Sequence, residues 1–411
     1  MAHLDDHPQN AGIHARPRCE GRVLEAGADH TRIPRRTVLK AAALTLVGGC
    51  STPPSRSVID AALSGDPERV ARTVVRDELS RQGLPATIHD LPTLIRTFVS
   101  LLRKTWGERD PEVASPRRYV KYSNAYAARA IVDFDRGFLR VETIATEDIR
   151  DKLRRAIIDT LLTDQDMRVE DIFNDAEPHT GGEPFLLGQV VDHDGQPIRW
   201  PWRAARFADH LMNTVLRRQR QHGRLVHSVE VALVDNHQRL RELEYADQVL
   251  ASARLYRLPP PLVYAVIEVE SAFNPYAVSP ANAYGLMQVV PATAGRDVFE
   301  RIKQQRGEPT RQQLFQPAFN IDIGSAYLHL LQDVYLTKIS DGDSRRFAMI
   351  AAYNGGPGST LRAFDANRTR ALRRINAMSA AQVYDHLVSR HPFAETRNYV
   401  TKVRAAEQHY L

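Results

Sequence analysis

The hydrophobic periodicity of the chain changes once, near residue 236, and this change constrains the fold more than any other feature. Between residues 110 and 235, apolar and polar residues alternate in several short runs, as strands require, and a helical segment intervenes. The run "RAIVDFDRGFLRVETI" predicts a hairpin that turns at Asp135-Arg136-Gly137. From about Asn236 onward, helical periods dominate. The sequence therefore predicts an α+β fold, with a small α+β amino-terminal domain followed by a mostly α domain.

Other segments predict individual elements. The apolar positions of "LPTLIRTFVSLLRKTW" and "IRDKLRRAIIDTLL" predict two amphipathic helices, and the second can cover one face of a sheet. The alternating valines of "LVHSVEVALV" predict a strand. Two more strands are predicted next to "DHDGQPIRW", one before it and one after it. In the helical half, "SAAQVYDHLV" predicts a helix that opens on Ser379, with Gln382 completing a capping box.

The composition excludes several classes of function. The 411 residues include 55 Lys and Arg against 49 Asp and Glu, a formal net charge of +6, but the two signs are interspersed. A nucleic-acid groove needs segregated basic residues, so no nucleic-acid partner is predicted. The two cysteines, Cys19 and Cys50, are too few for a disulfide framework, and no Cys and His spacing suits zinc. We predict neither a metal nor a cofactor.

The segment "PRRTVLKAAALTLVGGC" has the anatomy of an export signal. Arg35-Arg36 precedes Leu39-Lys40 and nine uncharged residues, a run too short to span a bilayer. The segment resembles a twin-arginine signal, and "LVGGC" resembles the lipobox at which a bacterial lipoprotein is cleaved and acylated on cysteine. We therefore predict a signal over residues 1–49, a lipid anchor on Cys50 and a tether over residues 50–57. The alternative is a short buried helix with an unmodified cysteine.

Domain boundaries and location follow from this signal. The amino-terminal domain is predicted over residues 58–235 and the helical domain over residues 236–411. Ser51 follows the cysteine, at the position where an aspartate is associated with retention in the inner membrane. We therefore predict a protein that is lipid-anchored at the periplasmic face of the outer membrane.

Two glutamates lie two positions apart in "VIEVESAFNPYAVS", within a predicted helix. Pro259-Pro260-Pro261 can only open a helix, and Pro275 disfavours helical geometry at the residue before it, so the helix is predicted over residues 262–273. At about 100° per residue, Glu270 shares the apolar face, whereas Glu268 lies roughly 200° away. Glu268 is interpreted as a solvated or structural neighbour.

Glu270 is the candidate for chemistry. It lies on an apolar face in the last turn of the helix, where desolvation and the negative end of the helix dipole both raise the pKa of a carboxyl group. A carboxyl group that stays protonated near neutrality is what a general acid for glycosidic cleavage requires. The alternative is a structural glutamate that caps backbone groups beyond the helix end.

The segment that holds Glu270 opens the first of three motifs, which follow in order and together resemble those of a known family. The segments "ESAFNPYAVSPANAYGLMQVVPATAG", "AAYNGGPGS" and "ETRNYV" resemble the signature segments of lytic transglycosylases with a goose-lysozyme-like catalytic domain. The segments "YVKYSNAYAARAIVDFD", "LRRAIIDTLL" and "EPFLLGQVVDHDGQPIRW" resemble the murein transglycosylase C subfamily, amino-terminal domain included. The resemblance covers most of residues 115–411, and it implies a lysozyme-like fold for the helical domain.

The resemblance implies a role for nine residues. Glu270 would be the catalytic acid, and the residues that line the saccharide groove would be Ser279, Gly285, Met287, Gln288, Tyr353, Asn354, Glu395 and Tyr399. Structural alternatives remain open for most of them. These are a turn serine for Ser279, core filler for Met287, a packed side chain for Tyr353 or Tyr399, a helix cap for Asn354 and a solvated side chain for Glu395.

The resemblance also implies a reaction. No second acid follows Glu270 in "SAFNPYAVSPANAYGLMQ", although Asp297, Glu300, Asp322 or Asp343 could fold into the cleft. A single acid and base suffices if the 6-hydroxyl of N-acetylmuramic acid attacks its own anomeric carbon. The predicted function is non-hydrolytic cleavage of peptidoglycan glycan strands to 1,6-anhydromuramoyl products by a monomer. The alternatives are a lysozyme-type hydrolase and an inactive peptidoglycan-binding lipoprotein.

Overall fold

The computed structural model describes residues 91–108, 111–165, 172 and 174–411, with side chains in the first helix from Phe98 onward. All of them belong to one unit, Ser55–Leu411. The predicted signal, the tether, Cys50 and residues 58–90 lie outside the described residues. Elements are numbered below over the described part of the chain.

A five-stranded antiparallel sheet forms the centre of the amino-terminal half. Its strand order is β1-β2-β3-β5-β4. The predicted hairpin is confirmed, because β2 and β3 pair from Ala128↔Thr143 to Asp133↔Phe138 around the predicted turn. The strand predicted in "LVHSVEVALV" is also confirmed as β5. The bounds are β1 Arg118–Ser123, β2 Ala128–Asp133, β3 Phe138–Thr143, β4 Arg217–Gln221 and β5 Arg224–Ala232.

Three helices accompany this sheet: α1 Leu91–Trp106, α2 Ile149–Leu161 and α3 Pro201–Thr214. The two predicted amphipathic helices are α1 and α2. Helix α2 packs against β2 and β3 and buries Leu153, Ile157 and Leu161, as its four-residue spacing predicts. Helix α3, which the sequence reasoning missed, packs on α2.

The prediction of two strands beside "DHDGQPIRW" is wrong. This segment forms turns with isolated bridges, Leu187↔Val190 and Val191↔Pro197. The carboxylate of Asp192 explains the turn, because its Oδ1 accepts hydrogen bonds from the backbone N–H groups of Asp194 and Gln196, at 3.0 and 2.9 Å. A side chain that binds its own backbone in this way competes with strand pairing.

From His237 onward the regular elements are helices, as predicted from about Asn236, and only isolated bridges such as Val278↔Tyr284 interrupt them. The predicted capping box is confirmed at Ser379 and Gln382. The α-helices are α4 His237–Glu244, α5 Ala246–Tyr256, α6 Pro260–Ser271, α7 Arg296–Arg301, α8 Arg311–Leu314, α9 Pro317–Leu330, α10 Gly342–Gly355, α11 Pro357–Arg362, α12 Arg368–Asn376, α13 Ala380–Arg390 and α14 Ala394–Glu407. Two π-helical turns, Pro291–Gly295 and Leu331–Tyr335, and a 3₁₀ turn, Gln408–Tyr410, complete this half.

The core of the helical half positions the candidate site. Helix α6 packs between α5 and α14, and α10 packs against α14. The apolar face of α6 buries Val263, Val266 and Ile267 completely. No helix of the described residues is both long and apolar enough to cross a lipid bilayer.

Candidate active site

Glu270 lies in the last turn of α6, as the sequence predicts. The helix begins and ends two residues earlier than expected, at Pro260 and Ser271. It ends there because Ala272 is left-handed, with φ 51°, and its N–H donates to the carbonyl of Glu268 at 3.0 Å. The Glu270 side chain is half-buried at this helix end.

The surroundings of Glu270 favour its protonated form. Burial is the largest cause and, with the negative charge of Glu395, it raises the pKa of Glu270 to about 8 against an ordinary value of 4.5. The Tyr399 hydroxyl and the Arg117 guanidinium act in the opposite direction and lower this pKa. Near neutral pH the Glu270 carboxyl therefore carries a proton that it can donate.

Glu268 has a different environment. Its Oε2 accepts hydrogen bonds from the hydroxyl of Tyr410, at 2.9 Å, and from Nδ1 of His409, at 3.3 Å. Its side chain is 17% exposed. Of the two interpretations left open by the sequence, the structural neighbour is the one that the contacts support, because these bonds join α6 to the end of the chain.

A tight loop over residues 284–288 contacts the end of α6, because Ser271 Oγ donates to the carbonyl of Leu286 at 2.8 Å. Gly285 has φ +70°, and a Cβ there would meet the carbonyl of Leu314 and lie 2.5 Å from Nδ2 of Asn320. Gln288 is also left-handed, with φ 47°. Its Nε2 donates to the Gly285 carbonyl at 3.0 Å, while its Oε1 is buried without a partner among the described residues. That oxygen is therefore a buried acceptor that the described residues leave unsatisfied.

Asn320 holds this loop, and sequence reasoning missed it. It is fully buried on α9. Its Oδ1 accepts from the backbone N–H of Met287 at 2.7 Å, and its Nδ2 donates to the carbonyls of Tyr284 and Leu314 at 2.7 and 2.8 Å. The signal was available, because an asparagine in the apolar run "PAFNIDIG" must bury an amide that needs partners.

Tyr353 and Asn354 lie at the carboxyl end of α10. The Tyr353 hydroxyl donates to the Met287 carbonyl at 2.8 Å, so the 284–288 loop is held from a second side. The charge of Glu270 adds to burial in raising the pKa of Tyr353, which places the two side chains near each other. Asn354 Oδ1 accepts from the hydroxyl of Thr396 at 2.7 Å and joins α10 to α14.

The other four predicted residues differ in burial and in their contacts. Tyr399 is buried on α14. Its hydroxyl lowers the pKa of Glu270, although its distance and angles are not those of a hydrogen bond. Glu395, one turn earlier, is exposed. Met287 is fully buried, in contact with Asn320 and Tyr353 through its backbone. Ser279 Oγ accepts from the N–H groups of Ala281 and Ala283 at 3.1 and 3.4 Å, and so belongs to a turn.

The structure therefore brings Glu270, Tyr353, Glu395 and Tyr399 into one electrostatic environment, with the loop of Gly285, Met287 and Gln288 fixed against Tyr353. Among the residues that the structure describes, neither Ser279 nor Asn354 makes a hydrogen bond to Glu270; their bonds are to Ala281, Ala283 and Thr396. No group of three or more His, Cys, Asp or Glu in the described part of the chain is arranged to hold a metal ion.

Known proteins resemble this chain along most of its described length. Residues 85–244 match the family model "Membrane-bound lytic murein transglycosylase C, N-terminal domain", and residues 248–376 match the model "Transglycosylase SLT domain". A solved structure of the 70 kDa soluble lytic transglycosylase from Escherichia coli has 30% sequence identity and a TM-score of 0.31, over 40% of this chain and 24% of that chain.

Full-length relatives agree with the two family models. A membrane-bound lytic murein transglycosylase C from Klebsiella pneumoniae subsp. pneumoniae is 46% identical over 318 residues, which cover 77% of this chain and 88% of the relative. The protein of that name from Yersinia enterocolitica is 44% identical over the same shares of the two chains. The chain therefore belongs to the membrane-bound lytic murein transglycosylase C family.

Proposed function

We propose that this chain cleaves peptidoglycan as a lytic transglycosylase, with Glu270 as its single acid and base. Membership of the family supports the reaction class, which is non-hydrolytic cleavage of the β-1,4 bond between N-acetylmuramic acid and N-acetylglucosamine. The observation that carries the assignment of Glu270 is its half-buried position at the end of α6 with a pKa of about 8. A carboxyl group with this pKa is protonated at neutral pH and loses its proton readily in the transition state.

The proposed reaction uses one proton in two steps. Glu270 first gives its proton to the bridging oxygen, and the bond from that oxygen to the anomeric carbon of N-acetylmuramic acid breaks. The oxocarbenium-like centre is then attacked by the 6-hydroxyl of the same sugar, whose proton passes to the Glu270 carboxylate. The products are a 1,6-anhydro end and a free 4-hydroxyl, and the acid is regenerated without water.

Other carboxylates that could have served as a second catalytic group are engaged elsewhere. Asp297 binds Arg301 and the Tyr335 hydroxyl, each at 2.6 Å. Asp322 binds Lys303 and the Tyr256 hydroxyl, also at 2.6 Å. Such ion pairs hold these two side chains in place, which supports a nucleophile that comes from the substrate.

Two further candidates, Glu300 and Asp343, are exposed. Glu395 is the carboxylate whose charge acts on Glu270, and it too is exposed at the start of α14. We assign Glu395 to the rim of the groove rather than to the chemistry. The groove itself is assigned to the fixed loop and its neighbours, namely Ser279, Gly285, Met287, Gln288, Tyr353, Asn354 and Tyr399.

The products of a digest test this proposal. Purified sacculi are treated with the protein and with its Glu270→Gln variant, and the muropeptides are identified by mass spectrometry. We expect 1,6-anhydromuramoyl ends from the protein and none from the variant, with Glu300→Gln as a matched control that keeps activity. Reducing muramic ends would instead indicate a lysozyme-type hydrolase, and equal digestion by both proteins would remove Glu270 from the mechanism.

We assign the protein to the periplasmic face of the outer membrane, held by a lipid on Cys50. The support is the lipobox-like sequence with Ser51 after the cysteine, together with family relatives named as membrane-bound. Fractionation of cells that express the protein and its Cys50→Ala variant tests the anchor. The variant should move from the membrane fraction to the soluble fraction, and unchanged membrane association would contradict the anchor.

A further inference from the structure

The chain just after Glu270 adopts an unfavourable backbone conformation. We call residues 268–276 the helix-end segment. Within it, Ala272 and Phe273 are consecutive left-handed residues, with φ 51° and 60°. Each such residue with a side chain costs on the order of 1–3 kcal/mol, so the surrounding structure must hold the segment in place.

Arg117, from the amino-terminal half, binds the end of the catalytic helix. Its Nη2 donates to the carbonyl of Glu268 at 2.9 Å and lies 3.4 Å from that of Val269. Its Nη1 is paired with Asp135, in the turn between β2 and β3, at 2.5 Å. The last carbonyls of a helix lack partners within the helix and carry partial negative charge, so a guanidinium both satisfies and stabilises this end.

Two more residues of the segment are bound by the same half of the chain. The Asn274 side chain is fully buried, and its Nδ2 donates to the carbonyl of Pro116 at 3.1 Å. The Tyr276 hydroxyl donates to the carbonyl of Asp164 at 2.8 Å. The Tyr276 ring packs against two aromatic rings, with centroids at 4.9 and 5.3 Å, those of Tyr119 and Phe185.

Arg241 of α4 completes the set of contacts. Its Nε donates to the carbonyl of Ala272 at 3.1 Å, and its Nη1 donates to Oε1 of Gln189 at 2.6 Å. Its guanidinium carbon lies 4.4 Å from the ring centroid of Phe134. Gln189 and Phe134 belong to the amino-terminal half, whereas a further contact of Nη1, with Nδ1 of His237 at 2.9 Å, lies within α4.

We propose that Arg117 is a positioning residue for Glu270, and that through it the amino-terminal domain forms part of the catalytic apparatus. Arg117 fixes the carbonyls of the two residues that precede Glu270 and thereby sets the direction in which the acid points. The inference rests on the proposed role of Glu270. Displacement of a catalytic group by about 1 Å can cost a hundredfold in rate, so a lost contact this close to the acid has a measurable effect.

Arg117 also contributes to the electrostatic environment of the acid. The charged or titratable groups that act on Glu270 or respond to it are Arg117 from the amino-terminal half, Tyr353 from α10, and Glu395 and Tyr399 from α14. Arg117 is the cation in this set, and its charge lowers the pKa of Glu270. Removal of the charge should therefore raise this pKa and move the alkaline limit of activity to higher pH.

The test uses the full chain with three substitutions. Arg117→Gln removes the charge and the contacts, Arg117→Lys keeps the charge, and Arg118→Gln is the matched control. Arg118 is the next residue and is similarly exposed, but it binds Glu112 and Asp133 at 2.7 and 2.8 Å, within its own half. For each variant, kcat and KM for soluble peptidoglycan glycan strands are measured from pH 5 to pH 10, beside thermal unfolding.

We expect Arg117→Gln to lower the pH-independent kcat about tenfold or more with little change in KM, and to move the alkaline limb upward. Arg117→Lys should keep the alkaline limb in place and restore part of kcat, whereas Arg118→Gln should change neither. If Arg117→Gln does not fold, Arg117→Lys tests the inference by itself. An unchanged kcat in Arg117→Lys would show that the guanidinium group of Arg117 does not position Glu270. If the pH profile of kcat for Arg117→Gln matches that for Arg118→Gln, the inference is overturned. The proposed role of Glu270 is tested separately, by the loss of activity in Glu270→Gln.

Discussion

The hydroxyl of Tyr353 donates to the backbone carbonyl of Met287, at 2.8 Å, and not to the carboxyl of Glu270. Tyr353 is nevertheless close enough for the charge of Glu270 to raise its pKa. The tyrosine therefore links the loop that carries Gly285 and Gln288 to the helix end beside the acid. Its hydrogen bond holds this loop against the end of α10.

Replacement of Tyr353 by Phe should loosen the groove without removing the ring. The Met287 carbonyl loses its donor, which costs about 1–2 kcal/mol of unfolding free energy, and kcat should fall about tenfold as the loop shifts. Chemical denaturation and initial rates on glycan strands measure the two effects. Tyr327→Phe is the control, because its ring lies 5.7 Å from that of Tyr353 and its hydroxyl makes no hydrogen bond within the described residues. Equal effects of both variants would contradict this role.

Glu270→Gln should stabilise the fold in a pH-dependent way. The folded pKa of about 8 lies above the ordinary 4.5, so between these values the folded state binds more protons than the unfolded state and stability falls as pH rises. At pH 7 the glutamate therefore costs about 3 kcal/mol of unfolding free energy, a cost that the amide does not have. Unfolding free energies at pH 4 and pH 7 should show the variant to be more stable only at pH 7. A difference of the same size at both pH values would contradict the raised pKa.

Glu395→Gln should shift the pH dependence of activity. The negative charge of Glu395 raises the pKa of Glu270, so its removal lowers that pKa, and the general acid loses its proton at a lower pH. The alkaline limb of kcat/KM, expected near pH 8 in the unchanged protein, should move to lower pH. Glu300→Gln, which removes a carboxylate that is also exposed, should leave the limb in place. A limb that does not move in Glu395→Gln would show that solvent screens this charge from the site.

Gly285→Ala should be among the most damaging small substitutions in the chain. It places a Cβ at a positive φ and against the Leu314 carbonyl and Asn320 Nδ2, so we expect a loss of roughly 2–4 kcal/mol and most of the activity. Gly307 is the matched control, since its φ is +96° but a Cβ there meets nothing within 4 Å. Gly307→Ala should cost only about 1 kcal/mol, measured by the same urea titration. Comparable losses at both positions would mean that backbone strain alone, and not crowding, requires Gly285.

The sequence allowed good predictions where the cause is local. Periodicity and prolines gave the hairpin, the helix that carries Glu270 and the separation of Glu270 from Glu268. The carboxyl end of this helix lies two residues before the predicted one, at the left-handed Ala272, whose carbonyl accepts a hydrogen bond from Arg241 outside the helix. The strands expected near Asp192 failed for a related reason, since a side chain there binds its own backbone.

The residues that sequence reasoning missed act over long separations. Asn320 binds Met287 across 33 positions, and Arg117 binds Glu268 across 151. Neither residue stands in a pattern that states its partner. Asn320 could have been suspected, because a buried amide needs partners, but Arg117 is one of many arginines in a chain with 55 basic residues.

The contacts of the helix-end segment bear on how such chains can recombine. In sequence, the change of periodicity near residue 236 looks like a place where the helical half could be exchanged for that of a distant relative. A chimera that joins this helical half to another amino-terminal half would keep every covalent bond of the graft, yet it would leave the carbonyl of Glu268, the amide of Asn274 and the hydroxyl of Tyr276 to find new partners. The two halves should therefore have been inherited and diversified together, and engineers should treat them as a single exchangeable module.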